Sequence, residues 1–449
     1  MINIPNKCRF IFEKLQESGF DCYAVGGCVR DSIMNIVPKD WDFTTNATPD
    51  EISAIFNDYK LVDIGKKYGT ICVINENDAF EITTFRTDGD YTDNRHPDSV
   101  RFSADVRDDL SRRDFTMNSI AYSESTGFVD VYSGFEDIKN RLIRCTGGPV
   151  LRFGEDALRI LRALRFASVL GFEIETETSK AIFECKDNLK SVHPHRMRKE
   201  LSGLLMGKYA ANILRDYAQV LSVIIPEIVP MFDCAQNNPH HKYDVWNHTL
   251  KALENSPQDE VLRLSIFFHD IGKPHTKSTD DKGIDHFKNH QLKSMEIAQS
   301  VLRRYGYPTK VVTEVSLLVR YHDERFRRQD ESIKRVLSLI GKDLIYSLLT
   351  ISECDMLGQS EYKRQEKLSN LESVRISTDR ILGSDECYTV SQMKINGEDL
   401  IRLGYRGKEI GIILDELLCK IIKGKLNNEY SDLISAAKLI DPTSLKIDK

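Results

Sequence analysis

A chain of 449 residues exceeds what one hydrophobic core sustains, so about two to four domains are expected; 41% hydrophobic and 29% charged residues exclude a disordered or fibrous protein. A formal net charge of −6 argues against a protein that coats nucleic acid, although residues 190–215, with six Lys/Arg against the single acid Glu200, form either a local basic surface or a solvated helix face. No apolar run spans a bilayer, nothing after Met1 resembles a signal peptide, and ten cysteines without a Cys-x-x-Cys pair read as reduced, mostly buried thiols of a cytoplasmic protein.

Up to Arg144, short β-type runs at 22–25, 41–44, 70–74, 80–85 and 127–130 alternate with helical stretches, which predicts an α+β head with a small mixed sheet. From Gly154 onward the pattern is almost entirely helical. The Gly147-Gly148-Pro149 cluster and the prolines of 226–239 mark joints. The division expected is a head at 1–144, a helical neck at 145–240, a helical body at 241–360 and a helical tail at 361–449. Residues 87–99, polar and flanked by strands, are expected to be a mobile functional loop.

The most informative stretch is Val25-Gly26-Gly27-Cys28-Val29-Arg30-Asp31 followed by Asp40-Trp41-Asp42. Strand 22–25, a glycine turn and a helix from Asp31 would let backbone N–H groups approach phosphate oxygens at Gly27, with Arg30 gripping the same phosphates. Asp40 and Asp42 lie two apart, so an extended chain points both to one face and Trp41 away. Two such carboxylates suit Mg²⁺, whose remaining ligands are often water and substrate phosphates.

Arg112-Arg113-Asp114, ahead of an expected helix start, suits phosphate clamping, with a surface arginine pair on a carboxylate as the plainer alternative. Farther on, Asp156, Arg159, Arg162 and Arg165 recur every three residues, which predicts one helix side, with Leu158, Leu161 and Leu164 on the other. An acceptor followed by donors matches the edges of cytosine and adenine, whereas the carbonyl of uracil or guanine would face a carboxylate.

With these motifs the chain resembles a class II CCA-adding enzyme, a tRNA nucleotidyltransferase of the polymerase-β superfamily, over nearly its whole length. Gly26-Gly27 with Arg30, Asp31, Asp40 and Asp42 resembles motif A, and Arg112-Arg113-Asp114 with Asn118 resembles motif B. Asp156 to Arg165 resembles the base-selecting helix, and Arg196, Lys199 and Glu200 resemble the neck motif. The resemblance implies addition of C, C and A to tRNA from CTP and ATP, with Asp40 and Asp42 catalytic and holding Mg²⁺. Gly27, Arg30, Arg113, Asp156, Arg159, Arg162 and Arg165 would bind nucleotide. Glu81 and Asp114 are candidates for a third carboxylate. Bacterial poly(A) polymerases share this head. The stretch Arg86 to Asp98 resembles the flexible loop that CCA-adding members use in switching from C to A, and the tail from Ile395 to Gly411 resembles the family's tRNA-handling region.

Eight of eleven histidines fall between His240 and His322. His248 on a helix, His269-Asp270 after the apolar run 264–268, then His290, His322 and Asp355 form an ordered series of imidazole and carboxylate ligands. It resembles an HD-domain phosphohydrolase, with His248, His269, Asp270 and Asp355 as core ligands of a transition metal and His290 and His322 for a second ion. A degenerate, structural HD fold is the alternative. Two rivals to the whole reading are a non-catalytic RNA-binding protein and a hydrolase with a vestigial head.

Overall fold

The computed structural model describes residues 2–89, 99–326 and 329–440, which divide into two units, one ending at Pro226 and the other beginning at Glu227. In the first, seven strands make one mixed sheet in the order Lys60–Gly65, Thr70–Asn75, Asp78–Thr84, Asp42–Thr45, Cys22–Val25, Ile120–Ser123, Gly127–Asp130. All neighbours run antiparallel except Asp42–Thr45 beside Asp78–Thr84, where Asp42 pairs with Glu81. Helix Asn6–Glu17 buries Cys8, Ile11, Phe12 and Leu15, and Phe12 meets Phe43 edge-on at 5.4 Å.

Sequence periodicity located Cys22–Val25 and Gly127–Asp130 but missed Lys60–Gly65 and Ile120–Ser123, and it began the acidic strand one residue early. The expected helix after Arg113 is a single 3₁₀ turn, Thr116–Asn118, leading into the strand Ile120–Ser123. The helix expected from Asp31 already starts at Gly27. Residues Arg86–Asp88 and Val100–Phe102 pair as a small ribbon at the base of the expected loop; its tip, 90–98, lies outside the described residues.

Helix Leu158–Leu170 packs on helix Pro194–Met206. Gly203 permits the approach, because a Cβ there would stand 2.4 Å from Arg165 Cδ. The second unit carries the helices Val245–Glu254, Glu260–Phe268, His290–Arg304, Thr309–Tyr321 and Ile345–Gly358, with one short ribbon of Lys277–Thr279 and Asp285–Phe287. Its C-terminal helices close a separate small core that includes Leu400, Ile413, Leu417 and Leu433. No helix among the described residues is long and apolar enough to cross a membrane, and all ten cysteines are free, eight of them buried.

Candidate functional site

At the sheet's acidic end, Asp40 and Asp42 are exposed while Trp41 between them is buried, the alternation the sequence demanded. Glu81, exposed and in register with Asp42, adds a third carboxylate to that edge. Crowding by surrounding protein, then the charges of Glu81 and Asp40, push the Asp42 carboxyl above its ordinary range, with Arg113 and Lys199 pulling it down. Like charges gathered on an open edge are relieved by a divalent cation, so this all-oxygen donor set fits one. Asp114, the other candidate third carboxylate, is 8% exposed and ion-paired to Arg162 at 2.6 Å, so it is structural.

Gly26 turns the chain at φ +79°, and a Cβ there would lie 3.1 Å from Arg113 Nη1. The constrained glycine of the pair is therefore Gly26, while Gly27 begins a helix that no side chain caps. Arg113 is fixed by Asp109, which is fully buried and also takes Arg112 at 2.5 Å; Arg113 Nη2 meets it at 2.9 Å. Arg113 Nη1 thus lies against the Gly26 turn, and its charge reaches Asp42. Arg30 differs from expectation. It is 8% exposed, donates to Asn118 Oδ1 at 2.8 Å and to Asp31 Oδ1, and stacks 5.0 Å above Phe166. Its guanidinium braces the motif from inside.

The segment Asp156 to Arg165 also departs from the expected helix side. Asp156 is not on the helix: it has extended backbone between helix Pro149–Glu155 and helix Leu158–Leu170, and its Oδ1 accepts the Leu158 N–H at 3.1 Å. Its Oδ2 accepts from Arg196 of the neck helix at 2.8 Å. Arg159 is 9% exposed and donates to Glu155, to the Arg152 carbonyl and to the Arg112 carbonyl. Arg162 takes Asp114, and Arg165 takes Glu200 at 2.5 Å. The charged stripe is thus an ion-paired seam, not a solvated face, and it ties the neck to the arginine motif. Phe166, which no motif flagged, seats the guanidinium groups of Arg30, Arg162 and Arg165 at 5.0, 5.4 and 4.3 Å.

The second unit brings its six ligand candidates together as the sequence proposed. His248, His269 and Asp270 are at most 1% exposed, His290 and His322 5%. Ligand atoms of His248, His269, Asp270 and Asp355 lie within 4.8 Å of one another, as do those of Asp270, His290 and His322. Asp270 joins the two sets: Oδ2 lies 3.3 and 3.1 Å from the Nε2 atoms of His248 and His269, and Oδ1 lies 3.3 and 3.6 Å from those of His290 and His322.

The ring nitrogens say how these sites are charged. Nδ1 of His269, His290 and His322 sits 2.7 to 2.8 Å from the carbonyls of Ile266, Phe287 and Val319, each three residues earlier. A carbonyl only accepts, so Nδ1 carries the proton and Nε2 faces inward as a donor of electrons. Nε2 atoms then oppose each other at 3.3 Å (His248, His269) and 3.2 Å (His290, His322), and neither Asp270 oxygen accepts a well-directed hydrogen bond. Between His290 and His322 lone pair faces lone pair, which fits a bound cation; His248, whose Nδ1 has no partner, meets Asp355 Oδ1 through Nε2 at 2.8 Å. In place of a cation the same cluster takes protons: burial would lower His269, but Asp270 and Asp355 overcome it and push it up to about 10, and Asp355, despite burial, is held well below the carboxylate range by His248 and His269. Sequence reasoning missed Lys273, 6% exposed, which meets Asp270 Oδ2 at 2.7 Å and Gln236 at 2.8 Å.

Residues 22–144 match the poly A polymerase head domain, 171–231 the probable RNA and SrmB-binding site of polymerase A, and 240–369 the HD domain. A CCA-adding enzyme of Leuconostoc citreum is 40% identical over 251 residues, a match covering 54% of this chain and 62% of that protein, under two thirds of its length. One from Ligilactobacillus salivarius is 31% identical over 444 residues, 97% of each chain. The crystal structure of the Bacillus stearothermophilus CCA-adding enzyme in complex with CTP superposes with a TM-score of 0.68 at 26% identity, over 97% of both chains. Enzymes of that kind use divalent metal, and the two imidazole and carboxylate sets that share Asp270 place their ligand atoms close enough to hold one.

Proposed function

The chain belongs to the family of CCA-adding enzymes, and on that premise we propose that it adds C, C and A in turn to tRNA 3′ ends, without a nucleic-acid template, from CTP and ATP. The observation that carries this reading is the convergence of the Asp40, Asp42 and Glu81 edge, Arg113 over the Gly26 turn, and the Asp156 to Arg165 seam bound to the same arginine motif. Asp40 and Asp42 would hold Mg²⁺, which when bound supplies Lewis acidity toward the attacking ribose hydroxyl and the departing pyrophosphate.

The remaining work falls to side chains. Arg113 and the N–H groups beyond Gly26 bind phosphate oxygens, and Lys199 adds charge close to Asp42. Asp156, held by Arg196, accepts the amino group common to cytosine and adenine and repels the carbonyl of uracil and guanine. Arg159 supplies the donor edge from its seat on Glu155, while Arg162 and Arg165 fix that seat through Asp114 and Glu200. Residues 145–240 serve as neck and 361–449 as tRNA-handling tail. Free cysteines support a cytoplasmic setting.

The test is incubation with tRNA lacking CCA, Mg²⁺ and each nucleoside triphosphate singly and together. Two C with CTP alone and a single A only after them are expected; A tails without C would favour a poly(A) polymerase. A second reading rests on the opposed Nε2 pairs across Asp270: the body is a metal-dependent phosphoester hydrolase. A transition metal there, when bound, supplies the acidity that makes water a nucleophile at neutral pH.

A further inference from the structure

On the Asp355 side of the imidazole cluster the protein gathers positive charge. Asp355 Oδ2 accepts from Gln359 Nε2 at 2.9 Å, and Gln359 Oε1 in turn accepts from Lys367 Nζ at 2.6 Å. The Gln359 carbonyl accepts from Arg364 Nη2 at 2.7 Å, while Arg364 Nε is buried with no hydrogen-bond partner. Lys367 is pulled below its ordinary range by burial, and Arg325 and Arg364 add to that pull, with Asp355 alone opposing them. His240 reports the same field: burial first, then Lys367, Arg325 and Lys363, draw its pKa down.

Among the described residues no carboxylate forms an ion pair with Arg325, Arg364 or Lys367. Glu324 is taken by Arg335, Glu366 lies 3.9 Å from Lys363, and Asp355 is directed at His248, 2.8 Å away. Orienting Asp355 requires Gln359 and at most one donor behind it. Arg325, exposed and outside that hydrogen-bond chain, serves no such purpose. Cations held within reach of one another beside a hydrolytic centre cost the folded protein free energy, which an anionic ligand offsets.

We propose that Arg325, Arg364 and Lys367 form a subsite for a second phosphate group, so that the imidazole centre acts on a phosphomonoester whose leaving alcohol carries a phosphate of its own. The proposal rests on reading that centre as a phosphoester hydrolase. In the reaction a water oxygen forms the new P–O bond, the bond from phosphorus to the alcohol oxygen breaks, and that oxygen gains the proton, giving inorganic phosphate and a phosphorylated alcohol. The second phosphate can belong to a small nucleoside bisphosphate or to the backbone next to an RNA 3′-phosphate.

The experiment compares full-length protein loaded with Mn²⁺ on adenosine 3′,5′-bisphosphate, on a 3′-phosphorylated RNA oligonucleotide and on p-nitrophenyl phosphate, which has no second phosphate. Wild type is expected to favour one or both of the first two in kcat/KM, and Arg325→Ala, which lies outside the hydrogen-bond chain to Asp355, to cut that preference at least tenfold through KM with metal content unchanged. Preference for the oligonucleotide alone assigns the subsite to an RNA backbone phosphate, and for the bisphosphate alone to a free nucleotide. A preference within twofold of wild type in Arg325→Ala overturns the subsite while leaving the hydrolase reading intact. Absence of hydrolysis on all three substrates overturns both.

Discussion

In the head, Asp42 opens a strand with Asp40 two residues ahead of it and Glu81 on the next strand, all three exposed; in the body, His248, His269 and Asp270 are almost wholly buried and gather with His290, His322 and Asp355 from three helices and the turns that follow two others. The difference is one of exchange. Exposed carboxylates bind a hard cation weakly and share it with water and substrate phosphate, which suits an ion that comes and goes with each nucleotide. A dry imidazole cluster has no water to stabilise it, so it holds either metal or protons, and the metal it takes is retained.

The sharpest way to break that contrast is to remove a ligand from each centre. Asp42→Ala should lower single-turnover nucleotide addition by about three decades or more, because one exposed carboxylate cannot hold the ion in register with the α-phosphate. Its body should keep both metal and hydrolysis. Addition within tenfold of wild type would place the catalytic carboxylates elsewhere.

The reciprocal double variant His269→Ala, Asp270→Ala should lose bound transition metal and all phosphoester hydrolysis while C and A addition stays within about twofold. Metal analysis after gel filtration reads the first effect. A brief chelator treatment followed by Mg²⁺ should, in wild type, restore addition at once and leave the body's metal largely in place. Equal loss of metal from both would dissolve the distinction drawn between them.

Much of this was legible in the sequence for reasons that differ between the two regions. Helices with long apolar faces, such as Glu260–Phe268, fix where their last turn points, so His269 and Asp270 could be read as one centre with His248 and Asp355. The Asp-x-Asp alternation likewise survives any register. What sequence could not carry is pairing and side-chain direction. Glu81 joins Asp42 only through a parallel pairing between strands that are not adjacent in sequence. A three-residue recurrence cannot separate a capping position from the first helical turn, which is why Asp156 was placed on the helix it precedes. Arg30 reads as a phosphate ligand until Asn118 and Phe166 are seen to enclose it.

A middle-sized effect probes the head's own division of labour. Asp156→Ala should reduce CTP-over-UTP selectivity by about one to two decades, the range of a lost hydrogen bond and a relieved repulsion worth about 1–3 kcal/mol. Arg196→Met, which frees Asp156 Oδ2 without removing it, should cost selectivity in the same direction but less. Competition assays with both triphosphates read the ratio. Selectivity unchanged in Asp156→Ala would remove this carboxylate from base choice altogether.

The smallest effect concerns what holds the head's seam together. Burial alone would raise Asp114, but Arg162, Asn118 and Arg159 outweigh it and hold its carboxyl down at about 2, against 3.8 for the free group. A folded-state value below the unfolded one means that the stabilisation is complete above about pH 4 and is lost as the pH falls toward 2. Its size is about 2 kcal/mol, converting that displacement at 1.36 kcal/mol per unit. Denaturant midpoints of the wild type should therefore fall between pH 5 and pH 3 more steeply than those of Asp114→Asn, which keeps the shape and the Asn118 contact but has no proton to gain. Asp109, buried between Arg112 and Arg113, contributes a slope of the same sign in both proteins, so the difference between them isolates the Asp114–Arg162 pair. Parallel slopes would mean that the seam is held by packing against Phe166, and that the ion pairs only align the arginines.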